Sequence, residues 1–460
     1  MNTDPAHLLL AATATFAYIL LCIGVWRRVR ARRLVAASMA APGGDPQHPA
    51  LLVAWASQTG TAEGLAMQTT SALQAAGVAV QLRSFAALDA AALRSTAQAL
   101  LVVSTYGEGD PPDNAAHFVA EVMRDSAVDL SGLRYGLLVL GDSSYRHFCG
   151  FGRQLDEWLQ QRGARPLFQR IDVDNGDAQA LQAWRESLGV IATLPDLPDW
   201  QGPPFEPWIL RAREHLNPGS LGGPLFHIEL VRKEGTTSGW QSGDLLQVQV
   251  PADPDHPRSY SIASIPADGA LHLMVRLERR EDGSAGLASG WLTHDAAIGT
   301  LVQARLRSHS QFRLGDNSGR DLILIGNGTG LAGLRAHLKQ RALERHAGGP
   351  ALRQWLLFGE RQAAHDAPYA AEIAAWQATG VLTRLDLVYS RDGHAERYVQ
   401  DRLRAQGERL REWVDAGAAI YVCGSLKGMA EGVAEVLREH LGEPLLAQLQ
   451  QQGRYRRDVY

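Results

Sequence analysis

Three short apolar runs in the first half of the chain share one layout, and this layout limits the folds that the chain can adopt. The runs LLVAWA (51–56), ALLVVS (99–104) and GLLVLG (136–141) each lead directly into a polar loop, and the first loop leads into a helical pattern. This order of strand, loop and helix predicts a doubly wound α/β sheet. Such sheets bind ligands at the carboxyl ends of their strands, so we expect the three loops to converge on one crevice.

The three loops carry residues that suit a phosphate and a flat ring. The first loop, SQTGTAEGLA (57–66), is rich in hydroxyl groups and glycine at a helix start, where backbone N–H groups bind anions. It contains no lysine and does not match the GxxxxGK(S/T) pattern, which disfavours a nucleotide triphosphatase. The second and third loops (105–115 and 142–150) each contain one tyrosine, and Tyr106 and Tyr145 would present ring faces to a flat ligand.

From about Gly222 the pattern changes to short alternating strands separated by turn residues, which predicts a small antiparallel barrel. The phrase RSYSIAS (258–264) lies at a strand start, and GLASGWL (286–292) places small residues at a helix start. An arginine, an aromatic ring and the N–H groups of a helix start together predict a pyrophosphate site. We expect Arg258 to pair with a phosphate, Tyr260 to stack on a ring and the second phrase to bind another phosphate.

A second alternating α/β unit follows the barrel. DLILIGNGTGLAGLRAHL (321–338) predicts a strand, a turn and a helix, and Gly326, Gly328 and Gly330 allow a pyrophosphate to approach the helix start. A single glycine fingerprint is weak, but further strands with polar ends follow in the same unit. These are WLLFGER (355–361), LDLVYSRD (385–392) and AAIYVCGSLKGMAEGV (418–433).

Length and composition agree with several domains in a reducing compartment. A chain of 460 residues usually forms two or three domains, and a net charge of -4 gives no general affinity for nucleic acid. The cysteines, Cys22, Cys149 and Cys423, are far apart and form no CxxC pair. This spacing argues against a disulfide framework, a zinc ribbon and a cysteine-ligated iron–sulfur cluster, and we predict no metal site.

The uncharged run from Leu8 to Trp26 predicts a membrane anchor. It contains 19 residues, which at ~1.5 Å per residue nearly span a hydrocarbon core of ~30 Å. The basic stretch RRVRARR (27–33) follows it, so the positive-inside rule predicts a single-pass protein of the bacterial inner membrane with its domains facing the cytoplasm. A cleaved signal peptide is the alternative, although its basic cluster should precede the apolar run.

The order of these motifs from residue 51 to residue 460 resembles that of the diflavin reductases, which include NADPH–cytochrome P450 reductases and sulfite reductase flavoprotein alpha subunits. The resemblance implies an α/β multidomain fold with a flavodoxin-like FMN domain, an antiparallel β-barrel FAD domain and a Rossmann-like NADP(H) domain. In the family the first loop holds the FMN phosphate, and the two tyrosines flank the FMN ring. The FMN-binding residues implied are Ser57, Gln58, Thr59, Gly60, Thr61, Ala62, Ser104, Thr105, Tyr106, Gly107, Gly109, Leu140, Gly141, Asp142, Tyr145 and Phe148.

The same resemblance implies the residues for FAD, for NADPH and for hydride transfer. The FAD-binding residues are Arg258, Tyr260, Ser261, Gly286, Leu287, Ala288, Ser289 and Tyr460. The NADP-binding residues are Gly328, Thr329, Gly330, Ser390, Arg391, Arg397, Tyr398, Cys423 and Gly424, of which those from Ser390 to Tyr398 match the positions for the 2′-phosphate. Two guanidinium groups beside a hydroxyl suit the discrimination of NADPH from NADH. The catalytic residues implied are Ser261, Cys423, Asp458 and the terminal aromatic Tyr460, which covers the FAD ring and must move to admit nicotinamide.

Two features depart from the family. The family inserts a helical connecting domain between a WxxGD motif and RxYS, but here Trp240, Gly243 and Asp244 lead almost directly to Arg258. This compact form leaves the arrangement of the two flavins unpredicted. In addition, Gly333 replaces a proline that the family usually has. The predicted segments are an anchor (1–33), a linker (34–49), the FMN domain (50–193), a hinge (194–222), the FAD domain (223–318) and the NADP(H) domain (319–460).

The implied function is electron transfer from NADPH through FAD and FMN to an acceptor protein. A haemoprotein of the P450 or sulfite reductase type is the first candidate for that acceptor. An acidic rim around the FMN crevice would steer a basic partner, or it is simply a solvated loop face. A ferric or flavin reductase acting on small acceptors and a non-enzymatic flavin redox sensor are the alternative functions. The rim residues are Glu108, Asp110, Asp113 and Asp142.

Overall fold

Three sheets form the framework of the protein in the computed structural model. The described residues are 50–143, 145–192, 204–233, 239–280 and 282–460. The predicted anchor and linker lie outside these ranges, as does the first part of the predicted hinge, residues 194–203.

The predicted membrane location is contradicted. Within the described ranges, no helix combines the length and the apolar character that a membrane crossing requires. The run from Leu8 to Trp26, on which the prediction rested, lies outside those ranges. We therefore withdraw the single-pass location.

The first sheet is parallel, with the strand order β2-β1-β3-β4-β5 and with β6 also paired to β4. Successive residues of a strand face opposite sides of a sheet, so Leu52 and Ala54 enter one core while Leu51 and Val53 enter the other. This is the predicted doubly wound arrangement. Its strands are β1 (Leu51–Ala56), β2 (Val80–Ser84), β3 (Gln98–Ser104), β4 (Arg134–Gly141), β5 (Arg165–Pro166) and β6 (Ile171–Asp174). Its helices are α1 (Thr61–Ala75), α2 (Ala90–Arg94), α3 (Gly150–Gln161) and α4 (Ala178–Ser187).

The second sheet is antiparallel, with the order β10-β9-β12-β7-β8-β11. A bridge between Ile262 and Leu273 joins the two ends of this order, so the sheet closes as the predicted barrel does. Its strands are β7 (Glu206–His215), β8 (Leu225–Arg232), β9 (Leu245–Val250), β10 (Asp253–Ser261), β11 (Leu271–Arg276) and β12 (Leu301–Arg307). A short helix, α5 (Leu287–Gly290), precedes β12.

The barrel begins earlier than the predicted boundary at residue 223. Strand β7 lies within the predicted hinge and pairs with both β8 and β12. Its side chains Trp208 and Leu210 are buried in the barrel core, which explains why this tryptophan-containing stretch is a strand. The predicted hinge therefore needs correction from Glu206 onward.

A tight hairpin stands where the family has its connecting domain. Strands β9 and β10 are separated only by Pro251 and Ala252, and Val250 pairs directly with Asp253. The structure thus agrees with the predicted absence of an insertion at this point.

The third sheet is parallel, with the order β15-β14-β13-β16-β17. Its strands are β13 (Leu322–Asn327), β14 (Gln354–Glu360), β15 (Arg384–Tyr389), β16 (Ala419–Gly424) and β17 (Tyr455–Val459). Its helices are α6 (Leu331–His346), α7 (Ala370–Ala378), α8 (Val399–Ala405), α9 (Gly407–Asp415), α10 (Glu431–Leu441) and α11 (Glu443–Gln451).

Candidate functional site

A row of residues crosses the carboxyl end of the third sheet. Strand pairing places Gly326 of β13 beside Cys423 of β16, and Cys423 beside Asp458 of β17. Both Cys423 and Asp458 are buried. Because the carboxyl ends of parallel strands form the ligand edge of such sheets, this row marks the candidate reaction site.

Ser261 brings the barrel to the same point. Its hydroxyl donates to Asp458 Oδ2 at 2.7 Å, and Cys423 Sγ lies 3.7 Å from the same oxygen. Two residues from separate motifs, Ser261 and Cys423, therefore share the carboxylate of Asp458. The contact joins the last strand of the barrel hairpin to the last strand of the third sheet.

The polar groups around Asp458 are held in their neutral forms. Burial, followed by the nearby Asp458 charge, raises the pKa of the Cys423 thiol well above its ordinary value. His309 Nδ1 lies 4.0 Å from Asp458 Oδ1, and burial lowers the pKa of this fully buried imidazole. Because the Cys423 thiol stays protonated and the His309 imidazole stays neutral, neither side chain adds a charge beside the Asp458 carboxylate.

Tyr460 lies at the open side of this row. Its hydroxyl donates to Thr329 Oγ1 at 2.9 Å, and its backbone N–H donates to Gly424 O at 3.0 Å. The residue as a whole is 53% exposed, and among the described residues its ring has one side-chain hydrogen bond, that to Thr329, to lose if it moves.

The predicted nucleotide turn follows β13 immediately. Gly328, Thr329 and Gly330 form a 3-10 turn that leads into α6. A Cβ atom on Gly330 would lie 2.0 Å from Cys423 O, so only glycine permits this approach of the turn to β16. The turn is thereby held beside Cys423.

The predicted 2′-phosphate residues lie just beyond β15. Arg391 and Arg397 are both exposed, and Arg397 Nη2 donates to Ser390 O at 3.4 Å. Neither guanidinium group has a carboxylate partner among the described residues. The half-exposed ring of Tyr398 lies beside Arg397, whose guanidinium carbon is 6.0 Å from the ring centroid.

The predicted FAD residues lie on β10 and α5. Arg258 is half exposed and is 3.7 Å from Asp253, so its guanidinium group is accessible to an anion. Ser289 is engaged internally, because its hydroxyl accepts from Glu278 N at 3.1 Å. A cavity of about 190 Å³ lies between the β9–β10 hairpin and α5 and is lined in part by Pro251 and Gly286, which is space for part of a cofactor only.

The predicted FMN phosphate loop has buried hydroxyl groups without partners. Ser57 Oγ and Thr105 Oγ1 are both buried and make no hydrogen bond to any other described residue. The loop leads into α1, whose first N–H groups are directed toward the loop. Unpaired donors beside a helix start fit a bound phosphate, so the residues present are suited to FMN.

The two predicted stacking tyrosines have different surroundings. Tyr145 is 43% exposed, whereas Tyr106 packs against the core of the third sheet and donates its hydroxyl to Val459 O at 2.7 Å. The structure therefore brings Tyr106 to the strand that carries Asp458. The other predicted FMN positions lie at the ends of β3 and β4 or just after them: Ser104, Leu140 and Gly141 end the strands, and Thr105, Gly107, Gly109, Asp142 and Phe148 follow them.

The crevice docks against β17 through polar contacts. Gln58 Nε2 donates to Arg457 O at 3.2 Å, and the Arg457 side chain forms an ion pair with Asp113. Glu108 lies 3.4 Å from Lys427 in the same region. At least two acids of the predicted rim are therefore paired within the chain, which reduces the charge available to steer a partner.

Sequence reasoning did not find Arg307, His309 and Arg457. Each contacts a residue more than 200 positions away in the chain, and no local pattern marks such a contact. For the first two residues the sequence offers one signal, the polar phrase RSHSQ (307–311), which begins at the last residue of β12, a strand that was not predicted.

Comparisons with known protein families match two parts of the chain, which correspond to the first and third sheets. Residues 53–187 match the Flavodoxin family, and residues 324–435 match the oxidoreductase NAD-binding domain family. Sulfite reductase (NADPH) flavoprotein alpha-component of Neisseria meningitidis serogroup A is 28% identical over 561 residues, which cover 93% of this chain and 92% of that protein.

Two further relatives have the same name. The protein of Vibrio cholerae is 28% identical and matches 89% of this chain and 87% of its own length. That of Photobacterium profundum is 27% identical and matches 89% of each chain. These alignments extend over 541 and 544 residues, more than the 460 of this chain, so the relatives contain segments without a counterpart here.

Proposed function

Because the chain belongs to the diflavin reductase family, we propose that it transfers electrons from NADPH through FAD and FMN to an acceptor haemoprotein. The observation that carries this proposal is the convergence of Ser261, Cys423 and Asp458 at the edge of the NAD-binding sheet. This is where a reduced nicotinamide on the Gly328–Gly330 turn would meet a flavin held by the barrel.

Each cofactor has a proposed set of residues. Arg258, Tyr260 and the start of α5 would hold FAD, and the loops after β1, β3 and β4 would hold FMN. When bound, these groups supply hydride acceptance from NADPH and one-electron delivery to the acceptor. The protein supplies the binding, the orientation and the charge.

Asp458 is proposed as the electrostatic residue of the hydride step. Its buried negative charge stabilises positive charge that develops beside it, which favours the departure of a hydride from nicotinamide. The carboxylate also fixes the Ser261 hydroxyl at 2.7 Å, and this bond sets the direction of the hydroxyl oxygen. Cys423 remains a thiol because burial and Asp458 raise its pKa.

Tyr460 is proposed as the movable cover of the site. Displacing its ring breaks one side-chain hydrogen bond, which costs about 1 kcal/mol. The residue is already 53% exposed, so water would have access to the position that the ring leaves. The backbone of Tyr460 stays tied to Gly424 and Leu426.

Arg391 and Arg397 are proposed to select NADPH over NADH. Two exposed guanidinium groups without carboxylate partners among the described residues form a ready site for a dianionic 2′-phosphate. Ser390 directly follows β15, and its hydroxyl is proposed to complete the polar set.

The proposed function is tested by anaerobic stopped-flow spectroscopy on the full chain loaded with both flavins. NADPH should bleach the flavin absorbance, NADH should do so much more slowly, and added haemoprotein should then restore the absorbance. Cytochrome c serves as a general haem acceptor, with ferric citrate as the small-molecule comparison. Equal reoxidation by both acceptors would favour a small-molecule reductase, and an absence of bleaching would remove the proposed function.

A further inference from the structure

The polar segment Arg307–Ser310, which begins at the last residue of β12 of the barrel, lies across the predicted FMN phosphate loop. We infer that Arg307 supplies a cationic ligand to the FMN phosphate from a different domain, so that the FMN site is completed by the barrel. The inference rests on the proposed function, because it requires FMN at the loop after β1.

Direct hydrogen bonds join the segment to the loop. Arg307 Nη2 donates to Thr59 O at 3.3 Å and also to the Thr61 hydroxyl. His309 Nε2 lies 2.9 Å from Gln58 O, within hydrogen-bond distance. The guanidinium group thus lies at the first residues of α1, where the phosphate is expected.

Close backbone contact shows that the segment and the loop are fitted to each other. Gly60 has φ of 82°, and a Cβ atom on it would lie 2.7 Å from Ser308 O. A residue with a side chain at this position would therefore collide with the backbone of the barrel segment. The absence of a side chain lets the segment lie directly on the loop.

The charge of Arg307 lacks a carboxylate partner among the described residues. The nearest acid of α1, Glu63, accepts instead from Ser310 Oγ at 2.5 Å and interacts with the charge of Arg313. Desolvation lowers the pKa of Arg307 to about 10, although part of its side chain stays accessible to water. The guanidinium group is still charged at neutral pH, and partial desolvation favours an anion beside it.

The loop itself provides independent evidence for an anion site. Ser57 Oγ is buried without a hydrogen-bond partner among the described residues, and the residue as a whole is 0% exposed. Thr105 Oγ1, from the neighbouring loop, is likewise buried and unpaired. A phosphate between these hydroxyls and Arg307 would give hydrogen bonds to both sides of the domain boundary.

This shared site links FMN binding to the docking of the two domains. If the phosphate binds Arg307 only when the domains are docked, then docking increases the affinity for FMN. Bound FMN must then increase the equilibrium constant for docking by the same factor. Separation of the flavodoxin-like domain from the barrel would break the charged contact between Arg307 and the phosphate.

The test uses the full chain with FAD retained and FMN removed. FMN and riboflavin, which lacks the phosphate, are titrated separately, and quenching of their fluorescence gives the two affinities. For Arg307→Ala we expect an FMN affinity about ten- to a hundred-fold weaker, as for a lost charged hydrogen bond, with riboflavin affinity changed less than about twofold. Arg305→Ala removes the same charge two residues earlier and serves as the matched control, with FMN affinity expected to stay near that of the wild type.

Three results would overturn the inference. They are unchanged FMN affinity in Arg307→Ala, equal losses for FMN and riboflavin, or wild-type affinity in Arg307→Gln, which keeps the side-chain length without the charge. The FAD content of each sample reports whether the barrel has folded. Failure of the wild-type chain to bind FMN would instead remove the proposed function itself, and the inference with it.

Discussion

The hydride-transfer row (Gly326, Cys423 and Asp458) and the docked FMN loops (57–66 and 105–115) differ in how their polar groups are held. In the row, Asp458 and Cys423 are adjacent strand partners, and strand pairing fixes their separation. In the docked FMN loops, the contacts are side-chain bonds between domains, such as the ion pair of Arg457 with Asp113. The first region is part of a sheet and should persist, whereas the second can separate without unfolding either domain.

This difference predicts which step of electron transfer a mutation in each region should affect. A change in the row should affect the chemical step and leave docking intact. A change at the docked FMN loops should affect electron passage between flavins and leave the hydride step intact. The following predictions are ordered from the largest expected effect to the smallest.

Asp458→Asn tests the row most directly. Loss of the buried charge should slow flavin reduction by NADPH about 100- to 1,000-fold, the usual effect of removing one electrostatic group from an active site. Stopped-flow absorbance measures the rate, and FAD content reports folding. Asp415→Asn, an exposed acid at the end of α9, is the control, and a loss under about threefold in Asp458→Asn would contradict the assigned role.

Arg391→Ala tests the exposed nucleotide end of the same region. We expect NADPH binding to weaken by ~1.5–3 kcal/mol, with little change for NADH, because only NADPH presents the 2′-phosphate. Isothermal titration with both nucleotides measures the difference. Exposed Arg409 provides the control variant Arg409→Ala, and similar losses for NADPH and NADH would exclude the 2′-phosphate role.

Arg457→Gln tests the docked FMN loops. We expect electron passage to the second flavin to slow about tenfold, because Asp113 loses its partner in a largely buried pair. Flash photolysis measures this passage separately from the hydride step, which should remain unchanged. The double variant with Asp113→Asn should be no slower than the single variants, so additive losses would show that the two residues act separately.

The pH dependence of docking should give the smallest effect. Burial lowers the pKa of His309, whose ordinary value is about 6.5, so the undocked state binds more protons as the pH falls below that value. Docking should therefore weaken a few-fold between about pH 7.5 and 5.5, seen as slower passage between flavins. His309→Gln should flatten this profile, and a profile unchanged by the substitution would assign the effect to another group.

The sequence predicted the elements that depend on local patterns. The apolar runs before Tyr106 and Tyr145 became parallel strands, and the glycine turn after β13 leads into a helix as expected. The contact of Ser261 with Asp458 followed only from the family resemblance, since 197 positions separate the two residues. The individual cofactor residues remain predictions.

Docking contacts and several strands, including β7 and β12, were not predicted, for physical reasons. Arg457 contacts Asp113 because two domains meet, and neither residue belongs to a pattern that specifies the other. Strand β7 was hidden because its flanking prolines and tryptophans suggested a hinge, although Trp208 is buried in the barrel. The membrane prediction rested on an uncharged run and the basic stretch after it, and both lie outside the described residues.

Strand β17 also limits how the chain can vary in length. Arg457 faces the flavodoxin-like domain and Asp458 faces the nicotinamide edge, because neighbouring strand residues point to opposite sides. An insertion or deletion of one residue between α11 and β17 that shifted the pairing would exchange these two directions. The carboxylate would then face the first domain, and the guanidinium would enter the hydride site. This short connection should therefore tolerate substitutions far better than changes in length.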